Sequence, residues 1–365
     1  MMGIEALVAG EVPSVEGLAA LLACDDPRVA DELMAAAYEV KVREVGAVAW
    51  LRGLVEISNV CRCDCRYCGI RRSNDAVERY TVPVDEVLAA GQVAFEGGFG
   101  SVVLQGGERG DAAFVDDVEE MVRGLRDLSA GRLAITLSLG EQSPATYRRW
   151  REAGAERYLL RIETTNRRLF DAIHTGEQDF GARLGCLDEL RAQDWQVGTG
   201  VMIGLPGQTA GDLARDILFM RDRDVDMVGM GPFIPHAGTP LAGSLGPEAD
   251  YRPRQLDLGL RMIACARLVL RDVNIASTTA LQALHPQGRE RGLRAGANVL
   301  MPNLTHVRHR RGYQLYDGKP GLDEGSEESL RALERSVAAV GEAIGYGHPG
   351  TSPHYRRRAA RGGDA

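Results

Sequence analysis

Lysine is nearly missing from this chain: Lys41 and Lys319 are two among 43 basic residues. That bias reads as genome composition and carries no function by itself. Other absences exclude more. No uninterrupted apolar stretch approaches the roughly 20 residues of a helical membrane span. The segment MMGIEALVAGEVPSVEGLAALLACDD has no basic region ahead of an apolar one. Glu, Gly and Pro cut its apolar runs, so it does not read as a secretory signal. Positive charge is not in excess either, since the net charge is −8. An acidic surface argues against nucleic acid and against an anionic membrane as partner. No short-period repeat is present, which removes the solenoid architectures. These absences predict a cytoplasmic protein, and 365 residues suit one large domain or two ordinary ones.

What is present is an alternation of short apolar runs with longer amphipathic ones. Strands are predicted at 51–58, 100–105, 133–138, 157–162, 196–203, 226–232, 273–278 and 297–302. Each is brief and apolar, as strands buried on both faces should be. Helices are predicted between them at 83–98, 111–129, 143–154, 209–224 and 252–272. Eight strands alternating with helices over about 250 residues predict an α/β fold, a (β/α)8 TIM-type barrel. A doubly wound open sheet is the alternative. Residues 1–48 read as a helical N-terminal extension and 49–320 as the barrel. Residues 321–365 read as a C-terminal helix with a polar, Gly-rich tail, RRRAARGGDA, expected to be disordered.

In such barrels the chemistry sits at the C-terminal ends of the strands. The unusual residues fall there: four cysteines after strand one, GGE (106–108) after strand two, LGE (139–141) after strand three, RIETTN (161–166) at strand four. GLPGQ (204–208), FIPH (233–236), STTA (277–280) and MPN (301–303) follow the remaining four. Turn formation explains the glycines. It does not explain Glu108, Glu141, Arg161 and Glu163 on one rim. His236 reads as a turn residue, and Cys24, Cys186 and Cys265 as small hydrophobes of the core.

The stretch ISNVCRCDCRYCGIRRSN puts Cys61, Cys63, Cys65 and Cys68 within eight positions. Cytosolic thiols stay reduced, which counts against a disulfide knot. Zinc needs four ligands, usually as two separated pairs, and no second C-x2-C exists; only a very tight loop of all four would serve. Cys61, Cys65 and Cys68 in a C-x3-C-x2-C spacing favour an iron–sulfur cluster, with Cys63 a bystander turned away. Clusters ordinarily take four thiolates, so three would leave one iron open to a ligand.

This spacing, the aromatic Tyr67 before the last cysteine, and GGE after strand two resemble the radical S-adenosylmethionine (SAM) superfamily. VVLQGGE, ITLSLGE, RYLLRIETTN, VMIGLPGQT, NIASTTA and GANVLMPN together resemble its biotin-synthase-like branch. GPFIPHAGTPLA and YQLYDGK narrow the resemblance to the HydE family of [FeFe]-hydrogenase maturases. It runs from about residue 50 to 320.

The resemblance implies a [4Fe–4S] cluster on Cys61, Cys65 and Cys68, with SAM chelating the open iron. Reductive cleavage of SAM would then release a 5′-deoxyadenosyl radical. It implies SAM contacts from Tyr67, Gly106, Gly107, Glu108, Thr136, Glu163 and Arg183, and a substrate pocket of Arg161, Thr278, Thr279 and Tyr316, with Met301 as an apolar wall. A guanidinium suits a carboxylate on the bound molecule; an internal pair of Arg161 with Glu141 or Glu163 is the plainer reading. The implied substrate is an organometallic iron species with cysteine, CO and cyanide ligands. It would come from a partner maturase, and its product would pass to a scaffold protein; an electron donor is also implied. Two departures stand out. The segment after YQLYDGK has no cysteine, so no second cluster is expected, and RIET stands where some relatives have RHET. Two other readings compete: a radical SAM amino-acid mutase resembling methylornithine synthase, and a non-enzymatic iron–sulfur carrier.

Overall fold

The computed structural model describes residues 3–176, 178–323 and 326–362. Its strands are β1 (Val48–Ser58), β2 (Ser101–Gly106), β3 (Ala134–Ser138), β4 (Arg157–Leu159), β5 (Gln196–Thr199) and β6 (Met202–Ile203). They continue with β7 (Met227–Val228), β8 (Gly231–Pro232), β9 (Asn274–Ile275), β10 (Val299–Leu300) and β11 (Ala343–Ile344). The order β10-β1-β2-β3-β4-β5-β7-β9 is parallel throughout, and β6 and β8 extend β5 and β7 toward the rim. The ring closes where the Asn298 N–H donates to Ile275 O and the Ser277 N–H to Val299 O, both at 2.9 Å. This is the (β/α)8 TIM-type barrel the alternation predicts, and each predicted strand overlaps an observed one.

The predicted helices form for the reasons their ends suggest. Asp111 caps Ala112–Leu128 through the Phe114 N–H, and Ser143 caps Pro144–Ala153 with Pro in the first turn. Thr209 and Asp212 close a reciprocal capping box on Ala210–Asp222. N-terminal helices Ile4–Ala9, Val15–Ala23 and Pro27–Val45 bury Leu7, Leu18, Leu22, Leu33 and Val40 in one core with barrel helices Ala210–Asp222 and Glu248–Leu270.

The C-terminal segment departs from expectation. Strand β11 pairs with β1, and residues 345–352 cross the N-terminal end of the barrel. There the Arg157 guanidinium donates to Pro349 O at 2.9 Å, and Gly345 and Gly350 lie against the Trp50 ring. The tail expected to be disordered is helical over Pro353–Gly362; residues 363–365 lie outside the described residues. Its composition argued for disorder, but its cations find partners at the strand starts. Arg358 donates to the fully buried Asp226 at 2.8 Å, and Arg357 pairs with Asp272.

Both lysines are buried. Lys41 is 0% exposed and pairs with Glu342, also in the core, joining the helix Pro27–Val45 to the approach of β11. Burial pulls the Lys41 amine down to about 8. Lys319 pairs with Glu56 inside the barrel. The shortage of lysine is compositional, yet the two that remain stand where a compact ammonium, rather than a planar guanidinium, meets a buried carboxylate. Among the described residues no helix is long and apolar enough to cross a membrane.

Candidate active site

The loop after β1 alternates. Cys61, Cys63 and Cys65 turn inward, while Arg62 and Arg66 are exposed. This alternation corrects the expectation for Cys63. It does not turn away: it is 5% exposed and lines the same cavity as the other three thiols, its Sγ 3.2 Å from Glu108 Oε1. Such an irregular loop must satisfy its own carbonyls. Arg79 does so, donating to Asn59 O, Ile70 O, Arg71 O, Arg72 O and Asn74 O. Asp64 accepts from Arg71 at 2.8 Å and from the Ser73 hydroxyl at 2.7 Å; the Arg71 guanidinium holds its carboxyl well below the usual range.

The loop docks on β2. The Glu108 N–H donates to Cys61 Sγ at 3.3 Å, and the Arg62 N–H to Glu108 O at 2.9 Å. Gly107 faces Val60 O so closely that a Cβ would stand 2.2 Å from it. Glu108 also accepts from Arg62 Nε at 2.9 Å and from the Glu141 N–H at 2.9 Å. The neighbouring Cys63 thiol lowers Cys61 from its ordinary value, whereas burial pushes Cys68 up to about 12. The Cys65 thiol donates to Gln178 Oε1 at 2.9 Å.

Opposite this wall stands the end of β4. Arg183, 5% exposed, donates to Glu141 Oε1 and to Arg161 O, each at 2.5 Å. It is no surface arginine. Arg161 pairs with Glu163 at 3.0 Å, the internal pair the sequence allows. Its side chain is 40% exposed because it faces the cavity. Glu163 holds a φ of 65°, a left-handed conformation that costs a non-glycine residue about 1 kcal/mol or more. Its Oε1 lies 3.4 Å from the Tyr67 hydroxyl, and its buried Oε2 has no hydrogen-bond partner among the described residues. Such strain and an orphaned carboxylate oxygen are what a ligand site leaves behind.

The turn after Glu163 is set by a buried carboxyl. Asp216 Oδ1 accepts the Thr165 N–H at 2.7 Å and the Thr165 hydroxyl at 2.5 Å. Burial raises Asp216 to about 7, above its ordinary value of 3.8. Its contribution to stability is therefore full below pH 3.8 and is lost as pH rises through 7. The thermal midpoint of the parent, relative to Asp216→Asn, should fall between pH 4 and 7; parallel pH profiles would refute it.

The third wall holds Thr278, Thr279, Met301 and Tyr316. Thr279 and Tyr316 share a hydrogen bond of 2.8 Å, and the buried Thr278 Oγ1 has no partner among the described residues. One cavity of about 270 Å3 thus joins Cys61, Cys65, Cys68 and Tyr67 to Gly106, Gly107, Glu108, Glu163 and Arg183, and onward to Arg161, Thr278, Thr279 and Tyr316.

Thr136 is the exception. It lies below the cavity floor with its Oγ1 unpartnered, while Ser138, one inward-facing position further along β3, lines the cavity. Sequence reasoning also missed Gln178, Gln105 and the far-wall group. There Lys319 pairs with Glu56 and donates to Tyr313 O at 2.8 Å, and Asn303 donates to Glu56 Oε2 at 3.1 Å. Cys265 is core, whereas Cys24 and Cys186 are only half-buried. His236 is a turn residue, its Nδ1 accepting the Gly238 N–H at 3.0 Å.

A metal group can be tested against this wall. Among the described residues no three His, Cys, Asp or Glu side chains are gathered as one ion requires. A cluster takes each thiolate on a different iron, so it needs thiols along one wall rather than at one point. Cys61, Cys65 and Cys68 meet that need, and Gly106 and Gly107 line the same cavity.

Comparison with known proteins agrees. The radical SAM superfamily model matches residues 55–220. HydE, the [FeFe]-hydrogenase maturase subunit of Thermotoga maritima, is 40% identical over 331 residues, 90% of this chain and 91% of that protein. Biotin synthase of Streptomyces avermitilis is 30% identical over 269 residues, 73% of this chain and 66% of that one. The crystal structure of methylornithine synthase superposes with a TM-score of 0.80 at 23% identity, covering 94% of this chain and 97% of that one, a likeness of fold.

Proposed function

This chain belongs to the radical SAM superfamily, and on that premise we propose that it is a radical SAM enzyme of [FeFe]-hydrogenase maturation. The family implies a [4Fe–4S] cluster and SAM. The proposed ligands are Cys61, Cys65 and Cys68, with one iron left open and no second cluster. The bound pair supplies one chemistry: one-electron cleavage of the sulfonium to a 5′-deoxyadenosyl radical.

The chain's own residues bind, orient and exclude water. Gly106, Gly107 and Glu108 would receive the SAM amino group, with Glu108 acting as acceptor. Arg183, held charged by Glu141 against the pull of burial, would face the SAM carboxylate. Glu163 offers its unpartnered Oε2 to the ribose hydroxyls, and Tyr67 lines the adenine side. Ser138 replaces Thr136 in this set. Arg161, Thr278, Thr279 and Tyr316 would hold the substrate, an organometallic or small molecule bearing a carboxylate. The barrel of residues 49–320, plugged at its base by residues 345–352, would keep water from the reacting carbon. The proposed partners are a maturase that supplies the substrate, a scaffold protein that receives the product, and an electron donor, all in the cytoplasm.

One observation carries the reading: one continuous cavity runs from the thiol wall past Glu163 and Arg183 to Arg161 and Thr278. The test uses anaerobically reconstituted protein, reduced and given SAM. About four irons per chain and 5′-deoxyadenosine are expected, and the protein should support hydrogenase activation by its partner maturases. Bound zinc without SAM cleavage would remove the enzyme reading. Arg161 would also suit the carboxylate of a free amino acid; SAM cleavage without hydrogenase activation would favour that mutase chemistry.

A further inference from the structure

The segment after β4 reaches back to the loop that carries the thiols. Ile173 O accepts the Arg66 N–H at 2.8 Å, and the His174 ring meets Tyr67 edge-on, 5.7 Å between centroids. Gln178 touches Cys65 itself, its Oε1 2.9 Å from Cys65 Sγ. Both side chains are buried, and both line the cavity. The backbone of Gln178 is set by its own turn, since its N–H donates to Thr175 O at 3.0 Å. The next residue, Asp179, caps the helix Phe180–Ala192 through the Ala182 N–H at 2.8 Å. Among the described residues Gln178 makes no other side-chain hydrogen bond, so its amide is committed to this sulfur alone. Tyr67 and Arg183 are the other polar side chains that act on Cys65, and both belong to the proposed SAM contacts. Cys61 is served differently, by the main-chain N–H of Glu108 at 3.3 Å.

We infer that Gln178 is a positioning residue for the cluster thiolate: it donates its amide N–H to Cys65 and makes the site easier to reduce. The inference rests on the cluster reading above. As a thiol, Cys65 donates to the amide oxygen. As a thiolate on iron it carries no proton and can only accept. An amide offers both senses at nearly the same shape, and the last torsion of glutamine is broad and roughly two-fold. A half-turn therefore brings Nε2 to the sulfur, and no second partner holds Oε1 back among the described residues. A donor aimed at a cluster sulfur stabilises added negative charge, and such hydrogen bonds help to set a cluster's potential. The buried setting strengthens the bond. The step concerned is one electron entering from the reductant, with no atom transferred. No motif announces this residue, because Gln178 stands 113 positions from Cys65.

The test is an EPR-monitored redox titration of the full-length, anaerobically reconstituted protein without SAM, comparing the parent with Gln178→Met and Gln178→Leu. Both variants fill the space and offer no N–H. Iron should stay at about four per chain in all three, because no ligand is removed. At a fixed potential the ratio of reduced to oxidised cluster should fall about tenfold in both variants, a midpoint lower by about 59 mV for a one-electron couple. Methionine is unbranched like glutamine, so Gln178→Met keeps the comparison should the branched leucine cost the loop its iron. The parent's midpoint retained in Gln178→Met would overturn the inference. Loss of iron from both variants would also overturn it, since the side chain would then serve only the packing of the loop. A parent that binds no iron and gives no EPR signal on reduction would instead sink the cluster reading itself.

Discussion

Cys65→Ala is expected to leave the barrel folded and empty it of iron. Cys65 is 8% exposed, and its thiol spends its one hydrogen bond on Gln178. Alanine removes a single sulfur, so the structural cost is small, about 1 kcal/mol. The chemical cost is the loss of one of three iron ligands. Iron should fall from about four per chain to below one. Deoxyadenosine formation should fall more than about 100-fold, equivalent to about 3 kcal/mol or more in barrier. Iron content, product and circular dichroism on one sample separate these effects. Iron retained in both Cys65→Ala and Cys63→Ala/Cys65→Ala would refute the assignment of Cys65. The inward position of Cys63 makes a second variant informative. If Cys65→Ala keeps iron that Cys63→Ala/Cys65→Ala loses, then Cys63 has taken its place.

Gly107→Ala is expected to damage the site by crowding rather than by removing a group. Its Cβ would lie 2.2 Å from Val60 O and 2.9 Å from Cys61 Cβ. Neither is the loose end of a flexible side chain. The loop must therefore move off β2, at a cost of about 1–3 kcal/mol. Cys61 moves with it. A lower melting temperature, together with SAM affinity weakened about two- to tenfold, follows if about half of that cost falls on the bound state. Gly185→Ala is the control. It lies within the helix Phe180–Ala192 with nothing near its Cβ, so it should stabilise by about 0.5–1 kcal/mol. Unchanged melting and SAM affinity in Gly107→Ala would show that the loop tolerates displacement.

The barrel was legible because strands buried on both faces read as short apolar runs between amphipathic ones. The rim was legible because Glu108, Glu141, Arg161 and Glu163 make no sense as turn residues. Depth was not. Thr136 and Ser138 share one face of β3, and only the register of the sheet says which reaches the cavity. Glu56 is a charge inside an apolar strand, and its partner Lys319 lies far along the chain. The helix Pro353–Gly362 was hidden for the same reason. Hydropathy registers its arginines as solvent-loving but carries no trace of Asp226 and Asp272 waiting at the strand starts. Ion pairs between distant segments leave no periodicity in either one.

The burial of both lysines has a practical corollary. Neither ε-amine is offered to solvent at the surface of the folded chain. Enzymes that acylate or ubiquitinate exposed lysines find no side-chain substrate on it, and turnover by such tagging would have to await unfolding. Amine-reactive cross-linkers will likewise pass over its lysines when partner complexes are mapped. Carboxylate- or arginine-directed reagents are the ones that will register a neighbour, and new reactivity at Lys41 or Lys319 becomes a direct signal that the barrel has opened.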